Sequence, residues 1–139
     1  MAVAAYQDGR WSPSEIKPVA PIELSPAAHV LHYASTCFEG FKAFRRPDGA
    51  VHIFRMDRHI ERMRQSARQL VLPEPDPKQL ADMVRAVINR CGDAVTEAPG
   101  ALYLRPILFC TTAKSGAAAT PAAEATWLVL ASPVWDYFA

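Results

Sequence analysis

The sequence predicts an α+β domain in two layers, a mainly antiparallel sheet with two consecutive helices laid against it. Three observations carry that expectation. Apolar periodicity orders the elements as strand, strand, helix, helix, strand, strand. Arg46-Pro47-Asp48-Gly49 supplies the chemistry of a tight turn between the first two strands. The prolines, 12 in 139 residues, gather at 13–26, 73–77, 99–106 and near the C-terminus, where they punctuate the chain.

Residues 1–28 read as a strand or extended arm followed by a proline-rich connection. Pro13, Pro18, Pro21 and Pro26 each fix φ and remove a backbone donor, which excludes a long helix or central strand. From His29 to Phe44 the chain is rich in aromatic and β-branched residues. Phe41–Phe44 and Val51–Phe54 pair as a hairpin across the turn. Asp57 is suited to cap the next element, a helix whose apolar stripe is Ile60, Met63, Ala67 and Leu70. Pro73, Pro75 and Pro77 end it by Val71 or Leu72. Asp76 caps a second helix with Pro77 at its first position and Leu80, Met83, Val84, Val87 and Ile88 buried; Gly92 terminates it. Two strand-like pieces follow, Ala101–Leu104 and Ile107–Cys110, with Pro106 between them. An Ala/Thr-rich loop spans 113–125, and Thr126–Leu130 reads as a buried strand.

Half the residues are hydrophobic and 21% are charged, the balance of a folded domain. A formal net charge of +1 gives no electrostatic argument for nucleic acid or an anionic membrane surface. No apolar run approaches the ~20 residues of a membrane-spanning helix, and no secretory signal is legible. Cys37, Cys91 and Cys110 are odd in number and lack metal-ligand spacing, which suits thiols in a reducing cytoplasm. Trp135, Tyr137 and Phe138 are large apolar groups in the last five residues, which implies that the chain continues in the intact protein.

The residues alone carry little chemistry. There is no Gly-rich phosphate loop and no metal cluster. Arg55, Arg58, Arg62, Arg64 and Arg68 make the first helix basic, either as a solvated face or as an anion site. His52 and His59 read as structural or surface groups. Arg105 is more pointed: it interrupts an apolar run from Leu102 to Phe109, where a guanidinium needs an ion-pair partner or a ligand.

The blocks Leu31–Phe44, Phe54–Met63, Leu102–Pro106 and Ser132–Phe138 resemble the branched-chain amino-acid aminotransferases. Those enzymes belong to fold type IV and use pyridoxal 5'-phosphate. The resemblance runs in family order over nearly the whole chain from residue 29. It implies that residues 29–139 are the α+β small domain, ending at the interdomain link, with the catalytic large domain absent. It implies that Arg62 binds the cofactor phosphate and that Arg105 meets a substrate carboxylate, with Tyr103 beside it. Phe38, Gly40 and Tyr137 correspond to the substrate side-chain pocket. Tyr33 resembles a residue that reaches the site across a homodimer interface. Implied substrates are branched-chain amino acids, glutamate and their 2-oxo acids.

None of Lys17, Lys42, Lys78 and Lys114 stands in the context of the family's catalytic lysine. No catalytic residue is therefore assigned, and the piece is expected to be inactive alone. The remaining readings are a D-amino-acid aminotransferase or lyase of the same fold type, and a non-catalytic binding or oligomerisation module. The preferred reading expects Arg62 and Arg105 to face one shared hollow.

Overall fold

The computed structural model describes residues 1–97, 99–114 and 120–135. The strands are β1 (Ala2–Gln7), β2 (Arg10–Trp11), β3 (Glu15–Ile16), β4 (Thr36–Phe38), β5 (Phe41–Arg45), β6 (Val51–Ile53), β7 (Ala101–Cys110) and β8 (Ala125–Val134). The helices are α1 (His29–Tyr33), α2 (Met56–Gln69) and α3 (Pro77–Cys91). The strands form one antiparallel sheet in the order β2-β1-β8-β7-β5-β6, with β3 on β1 and β4 on β7. The N-terminal arm thus enters the sheet beside β8, where Ala2 and Ala4 are buried.

The two-layer expectation holds. Met63 and Ala67 of α2 and Met83, Val84 and Val87 of α3 pack against Leu102, Leu104, Leu108, Trp127 and Val129 of the sheet. Every residue of the expected α3 stripe is buried. Asp76 caps α3 as expected, its carboxylate accepting from the Gln79 backbone N–H at 2.7 Å. Arg45, at the end of β5, donates to the carbonyls of Val95, Gly92 and Gly49 and ties the hairpin to the end of α3.

Three local features correct or add to the sequence expectations. Asp57 is not the cap of α2. The helix starts at Met56, two residues earlier than that cap would give, from Arg55 in the left-handed region (φ 50°), and Asp57 instead accepts from that arginine at 3.0 and 3.1 Å. Residues 29–33 form a short helix within the segment read as aromatic and β-branched.

The third feature matters for function. Pro106 does not divide two strands: β7 runs unbroken for ten residues. The Pro106 carbonyl accepts from the Glu39 N–H at 3.0 Å, so its missing donor faces Glu39 as well. The interruption therefore falls on the neighbouring strand, between β4 and β5. Phe38 pairs with Ile107 and Phe41 with Leu104, which keeps one register across the gap at Glu39-Gly40. Beyond that gap no described strand covers the outer side of residues 36–42, because β6 begins its pairing at Ala43. The sheet edge there is open.

Candidate active site

Strand alternation distributes the side chains of this open edge. Cys37, Glu39, Phe41 and Ala43 are all buried, on the face that meets the helices. Phe38 and Gly40 share the opposite face with Tyr103 and Arg105.

On the helical face, Glu39 is only 4% exposed, the one buried charged residue among those described. It is gripped by α2. Arg62 Nε donates to Oε1 at 2.5 Å and Nη2 donates to Oε2 at 2.6 Å, a two-pronged pair. His59 Nδ1 lies 2.9 Å from Oε2, and its ring stacks on Phe41 with centroids 4.8 Å apart. Burial pushes the Glu39 carboxyl upward, but hydrogen bonds and charge from Arg62 and His59 outweigh it, and the net shift is downward. The ionised carboxylate is felt next door. Burial first, and then the Glu39 charge, push the Cys37 thiol up to about 11. The Arg62 side chain remains 64% exposed. Its Nη1 and the second N–H of Nη2 carry no bond to the carboxylate.

The rest of the basic face of α2 is engaged locally. Arg64 and Arg68 share Glu61 and Glu74, and Arg55 holds Asp57. The pairs of Arg55 and Arg68 are largely exposed and contribute little, while Arg64 and Glu74 are part-buried.

On the other face, Arg105 is half-buried, not enclosed as its apolar run suggests. Its Nη2 donates to the Tyr103 hydroxyl at 2.8 Å, and its guanidinium lies 4.5 Å from the Phe38 ring centroid. No carboxylate of a described residue pairs with it. A hollow of about 210 Å³ opens beside it, lined by Tyr103, Arg105, Leu130, Ala131 and Ser132. Gly40 is required by this packing. A Cβ there would lie 2.2 Å from the Tyr103 hydroxyl oxygen.

Of the residues singled out from sequence, Phe38, Gly40, Tyr103 and Arg105 come together. Arg62 does not join them. It sits across the sheet, and the hollow beside Arg105 is not lined by it. The expectation of one shared hollow is therefore corrected: the two guanidinium groups flank the Glu39-Gly40 edge from opposite faces, because Glu39 and Gly40 alternate. Tyr33 lies near the far end of β7, where the His29 backbone N–H donates to the Thr112 carbonyl. Its ring lies against that of His29, tilted by 34° with centroids 4.6 Å apart, and it is 45% exposed. The run of strand from Tyr103 to Cys110 spans roughly 20 Å, which is beyond its reach within one chain. Tyr137 lies outside the described residues.

Glu39 is the group that sequence reading passes over, while His59, read there as structural or surface, is its anchor. The signal for Glu39 is present: it is a carboxylate in phase with Cys37, Phe41 and Ala43, all apolar.

A family model described as amino-transferase class IV matches residues 36–136. Among curated relatives, the branched-chain-amino-acid aminotransferase of Mycobacterium tuberculosis (strain ATCC 25618 / H37Rv) is 42% identical over 96% of this chain and 36% of its own length. The cytosolic branched-chain-amino-acid aminotransferase of Saccharomyces cerevisiae is 40% identical over 92% of this chain and 34% of its own. The chain thus spans about a third of the length of these relatives. Among solved structures, the T.th. branched-chain amino acid aminotransferase complexed with N-(5'-phosphopyridoxyl)-L-glutamate aligns with a TM-score of 0.66 at 25% identity. That alignment covers 93% of this chain and 40% of that one.

Proposed function

The chain belongs to the class IV aminotransferases, and from that premise we propose that it is the small-domain part of a branched-chain L-amino-acid aminotransferase. The α+β architecture is that of the family's small domain. The proposed reaction moves an amino group between leucine, isoleucine or valine and 2-oxoglutarate, with pyridoxal 5'-phosphate as cofactor. When bound, that cofactor supplies the electron sink the transfer needs. The residues present fit it. Arg62 keeps its Nη1 group without a partner among the described residues, Nη2 lying also 3.4 Å from His59 Nδ1, on a helix, the donor chemistry that suits a phosphate dianion.

The observation that carries the reading is Arg105. A half-buried guanidinium is held by Tyr103 and the Phe38 ring above a small hollow, with no carboxylate of a described residue to neutralise it. It suits the distal carboxylate of glutamate or 2-oxoglutarate. Phe38 and the Tyr103 ring, which Gly40 lets pack close to the strand, give the mostly apolar wall that an aliphatic side chain needs, so one pocket serves both substrates. The family resemblance assigns Tyr137 to the same pocket, and Tyr33 reaches it from a second copy in a homodimer. The free thiols support a reducing compartment such as the cytoplasm. No described helix is long and apolar enough to cross a membrane.

The test uses the full-length protein. Arg105→Ala should slow the half-reaction with 2-oxoglutarate much more than that with L-leucine. Equal losses would remove the distal-carboxylate role, and a preference for D-alanine over L-leucine would remove the assignment.

A further inference from the structure

The Glu39 carboxylate presents a physical problem. Burying an ionised carboxylate costs several kcal/mol even after relaxation, and the same strand face is otherwise apolar at Cys37, Phe41 and Ala43. An apolar residue at 39 would serve packing as well. Nor does the charge rescue a buried guanidinium, because the Arg62 side chain is 64% exposed. The pair stabilises the fold weakly for what it costs. What it achieves is orientation.

We infer that Glu39 is a positioning residue: its buried carboxylate grips one edge of the Arg62 guanidinium, is itself anchored by His59, and so holds the other edge toward a phosphate dianion. The inference rests on the reading of Arg62 as the cofactor-phosphate residue. A free arginine on a helix surface samples many rotamers, and ordering it on binding diminishes affinity. Here the ordering is done in advance. Nε and Nη2 meet the two carboxylate oxygens at 2.5 and 2.6 Å, which fixes the guanidinium plane and not merely its position. His59 sits one turn earlier on α2, with Nδ1 2.9 Å from Oε2 and its ring stacked on Phe41. The carboxylate therefore cannot swing with the arginine. The Glu39 backbone N–H is bonded to Pro106 of β7, so the anchor belongs to the sheet while the arginine belongs to the helix.

One effect opposes this. A negative charge behind the guanidinium repels a dianion in front of it, and removing that charge would strengthen binding if Coulomb repulsion dominated. The two effects predict opposite signs, which makes the inference testable.

The experiment titrates the apo form of the full-length protein with pyridoxal 5'-phosphate and, separately, with pyridoxal, which lacks the phosphate. Glu39→Gln should weaken the phosphorylated ligand about tenfold, the scale of one well-placed charged hydrogen bond, and leave pyridoxal unchanged. In an Arg62→Ala background the same substitution should cost nothing further. Equal weakening of both ligands would mean a general structural role and overturn the inference. Unchanged or tighter binding of pyridoxal 5'-phosphate would overturn it as well. If Glu39→Gln does not fold, Glu39→Asp, which withdraws the carboxylate while keeping its charge, is read by the same ratio of affinities. Failure of the underlying reading looks different: Arg62→Ala itself would then leave the preference for the phosphorylated ligand intact.

Discussion

Arg62 and Arg105 are held in opposite ways. Arg62 stands on a helix, mostly in solvent, and is oriented by a buried carboxylate. Arg105 stands in a central strand, half-buried, and is oriented by a phenol and an aromatic face with no charge of opposite sign among the described residues. The first arrangement fixes direction while neutralising part of the charge. The second leaves the positive charge whole but gives it a softer seat. An arginine that must grip one permanent group suits the first design. Under the proposed function, the second suits an arginine that would accept a carboxylate in one half-reaction and tolerate an aliphatic chain in the other.

The largest effect that sharpens this contrast is on Arg62. Arg62→Ala strips Glu39 of its main partner and leaves a buried carboxylate with His59 alone. Removing one member of a fully buried pair costs more, but the exposure of this arginine lowers the expected loss to about 2 kcal/mol. Adding Glu39→Gln should recover part of it, since the stranded charge is then gone. Urea unfolding of the three proteins measures both steps. The pH dependence has a definite sign. The Glu39 carboxyl is held below its ordinary value of 4.5 in the folded state. Its stabilisation is complete above that value and is lost as pH falls through the folded-state pKa. The gap between wild type and Arg62→Ala should therefore narrow in acid below about 4.5. A gap constant with pH would mean that the pair is not what holds Glu39 ionised.

Arg105 is conspicuous in the sequence itself, whereas Arg62 is one of five arginines on a basic helix and is singled out only by the family resemblance; the surroundings of neither are legible. Arg105 stands out because a charge interrupts an apolar run, a local signal. The partner of Arg62 is 23 residues away on another element, and no local pattern joins them. The hairpin and both long helices are legible because turn chemistry and apolar stripes mark them, although the expected cap is realised only at α3, by Asp76, and not at α2. Pro106 misleads because its effect is displaced: the strand that carries it continues, and the neighbouring strand is interrupted instead. With that edge misplaced, the alternation that puts Glu39 on one face and Gly40 on the other cannot be followed, and a single shared hollow looks natural.

Gly40→Ala is the next test in size, because it attacks the Arg105 side alone. The new Cβ would meet the Tyr103 hydroxyl oxygen at 2.2 Å and its ring carbons at 3.0 and 3.2 Å. The phenol must swing aside and release Arg105. A cost of about 1–2 kcal/mol is expected for such overpacking against a movable side chain. Thermal unfolding reads that cost. A loss larger than that of Arg62→Ala would reverse the ranking of the two sites.

The smallest expected change is the most diagnostic. Arg105→Ala removes one hydrogen bond to a phenol and one cation–π contact, and relieves a guanidinium that has no described carboxylate to strand. The loss of stability should be about 0.5–1 kcal/mol. Because no described carboxylate depends on Arg105, that difference should stay flat across the acid range where the Arg62→Ala gap narrows. Denaturant titrations of both variants at matched pH values give the comparison directly. If the Arg105→Ala difference instead fades in acid alongside the other, a carboxylate is paired with Arg105. The strand arginine would then belong to a structural ion pair, and its proposed substrate-carboxylate role would fall.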